Sequence, residues 1–285
     1  MPDPNSQKLL VSLKLLYKRG MYTFCCSLSS AQLVEDNPST TESIVLPCPE
    51  YLRRSCTYGL GYDVTGNDYK ILKIDAMELD EDKVPYEVLE LKSGSWRNIG
   101  YHPTGNILMT APWAPILYPL AFIHGAFHWL GSSLGITRSA YCCSVVSFTL
   151  SNEVYGEIPV LERMCYISNL GFDQLGISVL REMICFHYTY NHQGEGTFKL
   201  WVMKDYGVKE SWTELLTIHD TSLFSVRPKY MFANGEVLLC CGYSQHCGTI
   251  FRTSTGPFGL WPQHDDTIQE GFAYTESLIS PKMLT

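Results

Sequence analysis

One unit recurs along this chain of 285 residues and limits what it can fold into. A glycine-punctuated hairpin leads into an apolar strand, and that strand into one centred on an aromatic residue. The unit appears first as Gly61–Val64 with Asp68–Lys73, then Tyr86–Leu91, then Ser95–Ile99. It returns as His124–Leu130, Val145–Leu150 and Val154–Ile158. The third copy is Leu180–Phe186, Phe198–Met203 and Ser211–Leu215. The fourth is Asn234–Cys240, Thr249–Arg252 and Leu260–Pro262. Trp96, Tyr155, Trp212 and Trp261 hold equivalent places, roughly 50 to 60 residues apart.

Such a period is close to that of kelch-like repeats, which build one four-stranded blade per copy. Runs of five to eight residues rich in Val, Ile, Tyr, Phe and Trp are bounded by Gly, Pro, Asn and Asp. Turn signals such as Thr65–Asp68, Ser93–Gly94 and Asn234–Gly235 separate them. Radial stacking of blades hides sheet edges that would otherwise be open. The expected fold is therefore all-β, a β-propeller of four-stranded kelch-like blades, complete or with one incomplete blade. Residues 1–8 are expected to be loose, and 9–285 to form the domain. Short strands are expected at Leu9–Leu16, Tyr22–Leu28, Ala31–Val34 and Ile44–Leu46, with a loop over 35–43 and a last strand over 272–279.

The repeat also sorts the loops. The turns between first and second strands are short: Thr65–Asp68, His124–Gly125, Ala233–Gly235. Those between second and third are longer and unlike one another: Ala76–Pro85, Ser132–Tyr141, Thr189–Thr197, Ser244–Gly248. Connections between copies, such as Tyr101–Leu117 and Ile218–Tyr230, emerge on that same face of a propeller. Variable loops on a rigid scaffold commonly carry recognition, although loop length by itself costs little. The candidate protein-binding residues on that face are Asp80, Asp82, Arg138, Tyr190, His192, Glu195 and His246.

Net charge of -8 provides no basic surface for nucleic acid. The acidic run Glu78, Asp80, Glu81, Asp82 reads as a solvated loop. Eleven cysteines are an odd count, and Cys25–Cys26, Cys142–Cys143 and Cys240–Cys241 are adjacent pairs that point to opposite faces of a strand. Without a CxxC pair or a leader, reduced thiols in the cytoplasm or nucleus are expected, and no metal site. No Asp, Glu, Lys or Arg lies between Arg97 and Arg138, but prolines and glycines break the stretch. Leu120–Leu130 reads as a buried hairpin, with no membrane partner.

Catalytic signals are weak. Gly131–Ser132–Ser133–Leu134–Gly135 has the G-x-S-x-G form, yet runs into more β sequence instead of the helix a nucleophile elbow needs. His124 and His128 have helical metal-pair spacing without HExxH and read as core or edge histidines; His187 and His192 read as flanks of a polar loop. Asp63 is the acidic residue placed on an innermost strand. The periodic tryptophans read as packing between blades. No catalytic residues, metal or cofactor are expected.

Several motifs in one order resemble a known group, the plant F-box-associated domain of F-box and S-locus-F-box-like proteins. They are Asn37–Thr40 with Leu46–Pro47, Tyr58–Asp63 with Asp68–Leu72, Ser95–Trp96, Gly125–Trp129, Phe148–Leu150, and Lys199–Met203 with Ser211–Trp212. The resemblance spans roughly residues 9 to 279. It implies a non-catalytic substrate receptor of an SCF-type ubiquitin ligase that recognises a target protein for ubiquitination. The amino-terminal F-box is not found in residues 1–8, so the Skp-family adaptor and cullin are expected only if an F-box is supplied. A β segment that usually precedes the Asn-Pro-Ser-Thr motif is also missing before Asn37. The alternatives are a propeller enzyme with a site at its central channel, or a truncated, non-functional or competing F-box-like product.

Overall fold

Strands form where β-branched and aromatic runs lie between turn residues, and within each sheet the pairing is antiparallel and mostly between neighbours in sequence. The computed structural model describes residues 12–15, 33–37, 42–47, 49, 56–75, 86–100, 107–108, 120–133, 142–165, 175–192, 195–219, 225–243, 246–253 and 259–260. Two compact units divide them, one carrying the strands up to Tyr101 and the other those between His102 and Ala273.

In the first unit, β1 (Ser12–Leu15), β2 (Leu33–Asn37) and β3 (Glu42–Val45) form sheet I. Sheet II is the meander β4 (Cys56–Asp63), β5 (Asp68–Asp75), β6 (Tyr86–Glu90) and β7 (Ser95–Gly100).

The second unit holds three sheets. In sheet III, β8 (Ile107–Leu108) and β9 (Ala121–Ile123) share one edge of β10 (Ala126–Ser133), followed by β11 (Cys142–Thr149) and β12 (Val154–Ile158). A single helical turn, α1 (Glu162–Cys165), leads to sheet IV: β13 (Leu175–Leu180), β14 (Met183–His192), β15 (Glu195–Met203) and β16 (Trp212–His219). Sheet V is β17 (Ser225–Met231), β18 (Val237–Tyr243), β19 (His246–Arg252) and β20 (Gly259–Leu260).

Middle strands are buried on both faces, as in β10 and β14, while the outer strands β7, β12 and β16 are mostly half-buried or exposed. Sheet IV shows why. Ile184, Phe186 and Trp201 pack with Leu130 and Val145 of sheet III. Cys185, Phe198, Leu200 and Val202, on its other face, pack with Val226, Val237 and Leu239 of sheet V. Face-to-face stacking of meanders with their last strands outward is blade packing.

The hairpin read at Leu120–Leu130 forms as β9–β10. Its turn residues His124 and Gly125 sit at φ 52° and 73°, the two positive values of a I′ turn, whose twist matches the strands it joins.

Besides β8, which lies inside the expected Tyr101–Leu117 connection, four polar loop boundaries differ from expectation. Residues 35–37 belong to β2 and 42–43 to β3, not to the 35–43 loop. The Thr189–Thr197 loop shrinks to 193–194, because Thr189 pairs with Phe198 and Tyr190 with Thr197 in the ladder. β19 starts at His246, inside the expected Ser244–Gly248 loop. β16 continues to His219 and β17 begins at Ser225, shortening the Ile218–Tyr230 connection. Each segment is polar, but ladder pairing satisfies its backbone regardless. Residues 1–8, the Tyr22–Leu28 strand, the acidic run, Trp261 and the 272–279 strand lie outside the described residues.

His187, expected to flank a polar loop, lies well inside β14 and is buried on the face toward sheet V, because that loop starts only at 193. Gly176 makes room for it. A Cβ at that position would meet the imidazole Cε1 at 2.5 Å and Nε2 at 2.6 Å. Gly176→Ala is expected to cost about 1–3 kcal/mol by overpacking, read from the urea midpoint. The His187→Ala background should absorb most of that penalty, because the ring is what the methyl group strikes.

Candidate protein-binding face

The two ends of the stacked sheets IV and V can be told apart. Leu180 and Met231 end β13 and β17 and join one cluster, and the Arg181 guanidinium donates to the Phe232 carbonyl. The first turns of the two sheets therefore lie side by side. In a meander the second turn is at the opposite end, so the second turns also share an end. There His192 pairs with Glu195 across the turn of sheet IV, and Tyr243 with His246 across that of sheet V.

Three predicted residues, His192, Glu195 and His246, are thus brought to one edge of the second unit. Tyr190 stands two residues before His192; it is half-buried against the cluster between sheets III and IV, with its ring 5.9 Å from that of Tyr188. Asp80, Asp82 and Arg138 lie outside the described residues.

The opposite end is built on close inter-sheet links. His128 is 1% exposed, on the face of β10 toward sheet IV. Its Nδ1 lies 3.3 Å from the Ala121 carbonyl and its Nε2 lies 2.8 Å from the Tyr206 hydroxyl. A carbonyl only accepts, so Nδ1 carries the proton and Nε2 receives the Tyr206 O–H. Tyr206 stands in the turn between β15 and β16, and its ring also meets that of exposed His124 edge-on at 4.7 Å. Spacing reads the two histidines as core or edge groups; only the fold shows the tyrosine that joins them.

Burial holds His128 and His187 neutral. It lowers the pKa of His128 from 6.5 to about 4, against the Ala121 hydrogen bond that opposes the shift. It lowers His187 from 6.5 to about 3, with the charges of Arg227 and Lys229 acting in the same direction. An unfolded chain binds these protons below about pH 6.5, whereas the folded one does not, so the stabilisation is complete above that pH and is lost as pH falls through the folded values. Between pH 7 and 5 each histidine is expected to cost about 2 kcal/mol. Denaturant midpoints at the two pH values check this, and His187→Gln should remove roughly half of the difference.

Possible reacting groups are engaged structurally. Asp63 Oδ2 is 2.9 Å from Lys70 Nζ, and Oδ1 accepts the Thr65 N–H at 2.9 Å. Burial pushes its carboxyl up, but the Lys70 hydrogen bond and charge and the Gly66 and Thr65 N–H groups leave it below the usual value. Lys70 also faces Glu90, which Arg97 approaches at 3.3 Å, giving a ladder of alternating charge across all four strands of sheet II. Ser132 and Ser133 sit inside β10 opposite Cys143 and Cys142, not on a strand-to-helix turn. Cys185 is a buried thiol that burial raises to about 12, in keeping with a small core side chain. Among the described residues no three metal-ligating side chains cluster, and no helix is long and apolar enough to cross a membrane.

Two of the periodic tryptophans do the same work. Trp96, the second residue of β7, donates its indole N–H to the Pro47 carbonyl at 2.8 Å. Trp212, opening β16, donates to the Pro159 carbonyl at 2.9 Å. Each proline follows the last strand of the preceding sheet in the same unit, so the indole ties one blade to the one before it.

Comparison with known proteins agrees with this architecture. The F-box associated beta propeller domain family model matches residues 22–279. F-box protein CPR1 of Arabidopsis thaliana is 29% identical over 211 residues, covering 67% of this chain and 49% of that protein. An F-box/kelch-repeat protein of the same plant is 27% identical over 186 residues, covering 64% of this chain and 45% of its own. The chain spans about half the length of the curated relatives it matches. A solved structure, Zg3597, a family 117 glycoside hydrolase from Zobellia galactanivorans, has a TM-score of 0.42 at 12% identity over 75% of this chain and 72% of its own, too distant to bear on function. With its meander sheets stacked face to face, its indole ties between blades and a family match that runs through nearly the whole sequence, the chain belongs to the F-box-associated β-propeller domain family.

Proposed function

We propose that this chain is the non-catalytic target-recognition domain of an SCF-type ubiquitin ligase, working in the cytoplasm or nucleus. The observation that carries the reading is the family match over residues 22–279, with F-box proteins as relatives. The engagement of Asp63 by Lys70 and the strand setting of Ser132 and Ser133 support a binding role over chemistry. The target docks on the end formed by the second turns of sheets IV and V, near Tyr190, His192, Glu195 and His246. The domain supplies affinity and positioning; an F-box segment brings the Skp-family adaptor and cullin.

An affinity capture from plant extract tests this, using the full chain with and without an F-box fused ahead of it. The expected result is one target protein recovered by both forms, with adaptor recovered only by the fusion. Capture of the target should be lost when His192, Glu195 and His246 are replaced together by alanine. Recovery that ignores those substitutions, or a fusion that brings adaptor but never a shared third protein, overturns the reading.

A further inference from the structure

We propose that the His128–Tyr206 hydrogen bond is a proton-operated latch, which fixes the 204–211 turn against sheet III at neutral pH and releases it in mild acid before the sheets unfold. The turn reaches out of sheet IV and is otherwise held mostly from within. Ser211 Oγ donates to the carbonyls of Asp205 and Val208, and the Gly207 N–H meets Met203 Sδ at 3.1 Å. Its tie to sheet III runs through Tyr206, which bonds His128 and lies edge-on to both histidine rings.

The chemistry favours opening at this point. Neutral His128 is an acceptor at Nε2 and a donor at Nδ1, and both bonds are made. Adding a proton turns Nε2 into a donor and places a charge at a site 1% exposed. The groups bearing on that charge are few. From β9 comes the Ala121 carbonyl, which already has its bond, from β10 itself the Ala126 backbone, which also favours the charge, and from β11 the register partner Ser147, which does not titrate. His124, in the turn of the same hairpin, opposes a second positive charge. Tyr206 is the group contributed by sheet IV, and among the described residues no carboxylate pairs with His128. Tyr206 is 43% exposed, so swinging it away is the shortest route for water to reach the ring. Opening locally costs less than separating sheets whose buried strands pack on both faces. The release would move Tyr206 and Val208, two of the large apolar side chains the second unit exposes.

Hydrogen exchange of the full chain, corrected for the intrinsic pH dependence, tests the latch. Between pH 7 and 5 the opening equilibrium of residues 204–211 should rise roughly twentyfold, given the ordinary histidine value in the open form. Protection of β14 and β15 should fall far less. Tyr206→Phe, which removes only the hydroxyl that bonds His128, should raise opening of the turn about fivefold at pH 7. His128→Phe should leave the turn's protection independent of pH. Loss of protection in the turn and in β14 and β15 together, or a Tyr206→Phe turn as protected as the parent at pH 7, overturns the proposal.

Discussion

Trp212→Ala is expected to destabilise the chain by about 3–5 kcal/mol, the range for removing a large aromatic side chain from a filled core. Trp212 is 3% exposed and belongs to the cluster that joins sheets III and IV. Alanine would leave a cavity lined by rigid strands, which relax little. Trp212→Phe separates the two contributions. It keeps most of the packing and removes the bond to the Pro159 carbonyl, so about 1 kcal/mol should be lost. Pro159 is exposed, and water can take over its oxygen. Trp96→Ala, at a half-buried position with the same bond, should cost less than Trp212→Ala. Urea unfolding of the three variants checks the order; an equal loss at both tryptophans would mean that the hydrogen bond, not packing, dominates.

Glu87→Ala should be comparably damaging, about 3–5 kcal/mol, for an electrostatic reason. Lys73 on β5 is fully buried and its Nζ lies 2.5 Å from Glu87 Oε2, directly opposite on β6. Removing the carboxylate leaves the ammonium in a site from which solvent is excluded. The pair occupies the face of sheet II that also carries Ile71 and Leu89, against which Leu46 packs. The double replacement Lys73→Met with Glu87→Leu should therefore be neutral or stabilising, because two desolvated charges are exchanged for apolar volume. If Glu87→Ala unfolds at the parent's denaturant midpoint, the lysine is reached by water and the argument fails.

Much of the fold was legible in the residues. Turn chemistry located the hairpins at Thr65–Asp68, His124–Gly125 and Ala233–Gly235, and the aromatic period located the outer strands β7, β12 and β16. Polar composition misled where a strand ran on through it. Thr189–Thr197 reads as a loop because Asn, His, Gln and Gly outnumber apolar residues there, yet the ladder extends to His192 and Glu195. For the candidate face, the loop order of the repeat already puts His192, Glu195 and His246 at one end; what it does not reveal is that strand pairing runs on to hold them there.

The buried polar groups were the hardest to read. Spacing reads His128 as a core or edge histidine but His187 as the flank of a polar loop, since one-dimensional pattern says nothing about which faces of a strand are covered. Alternation along a single strand, turn propensity and the recurrence of tryptophan are local properties, and these the amino-acid order determined alone. Which sheet lies against which face is a matter of contacts between residues some fifty or more positions apart, such as Trp212 with Pro159 and Tyr206 with His128. Only tertiary packing decided those, because burial on both faces of a strand depends on neighbours that the strand itself does not encode.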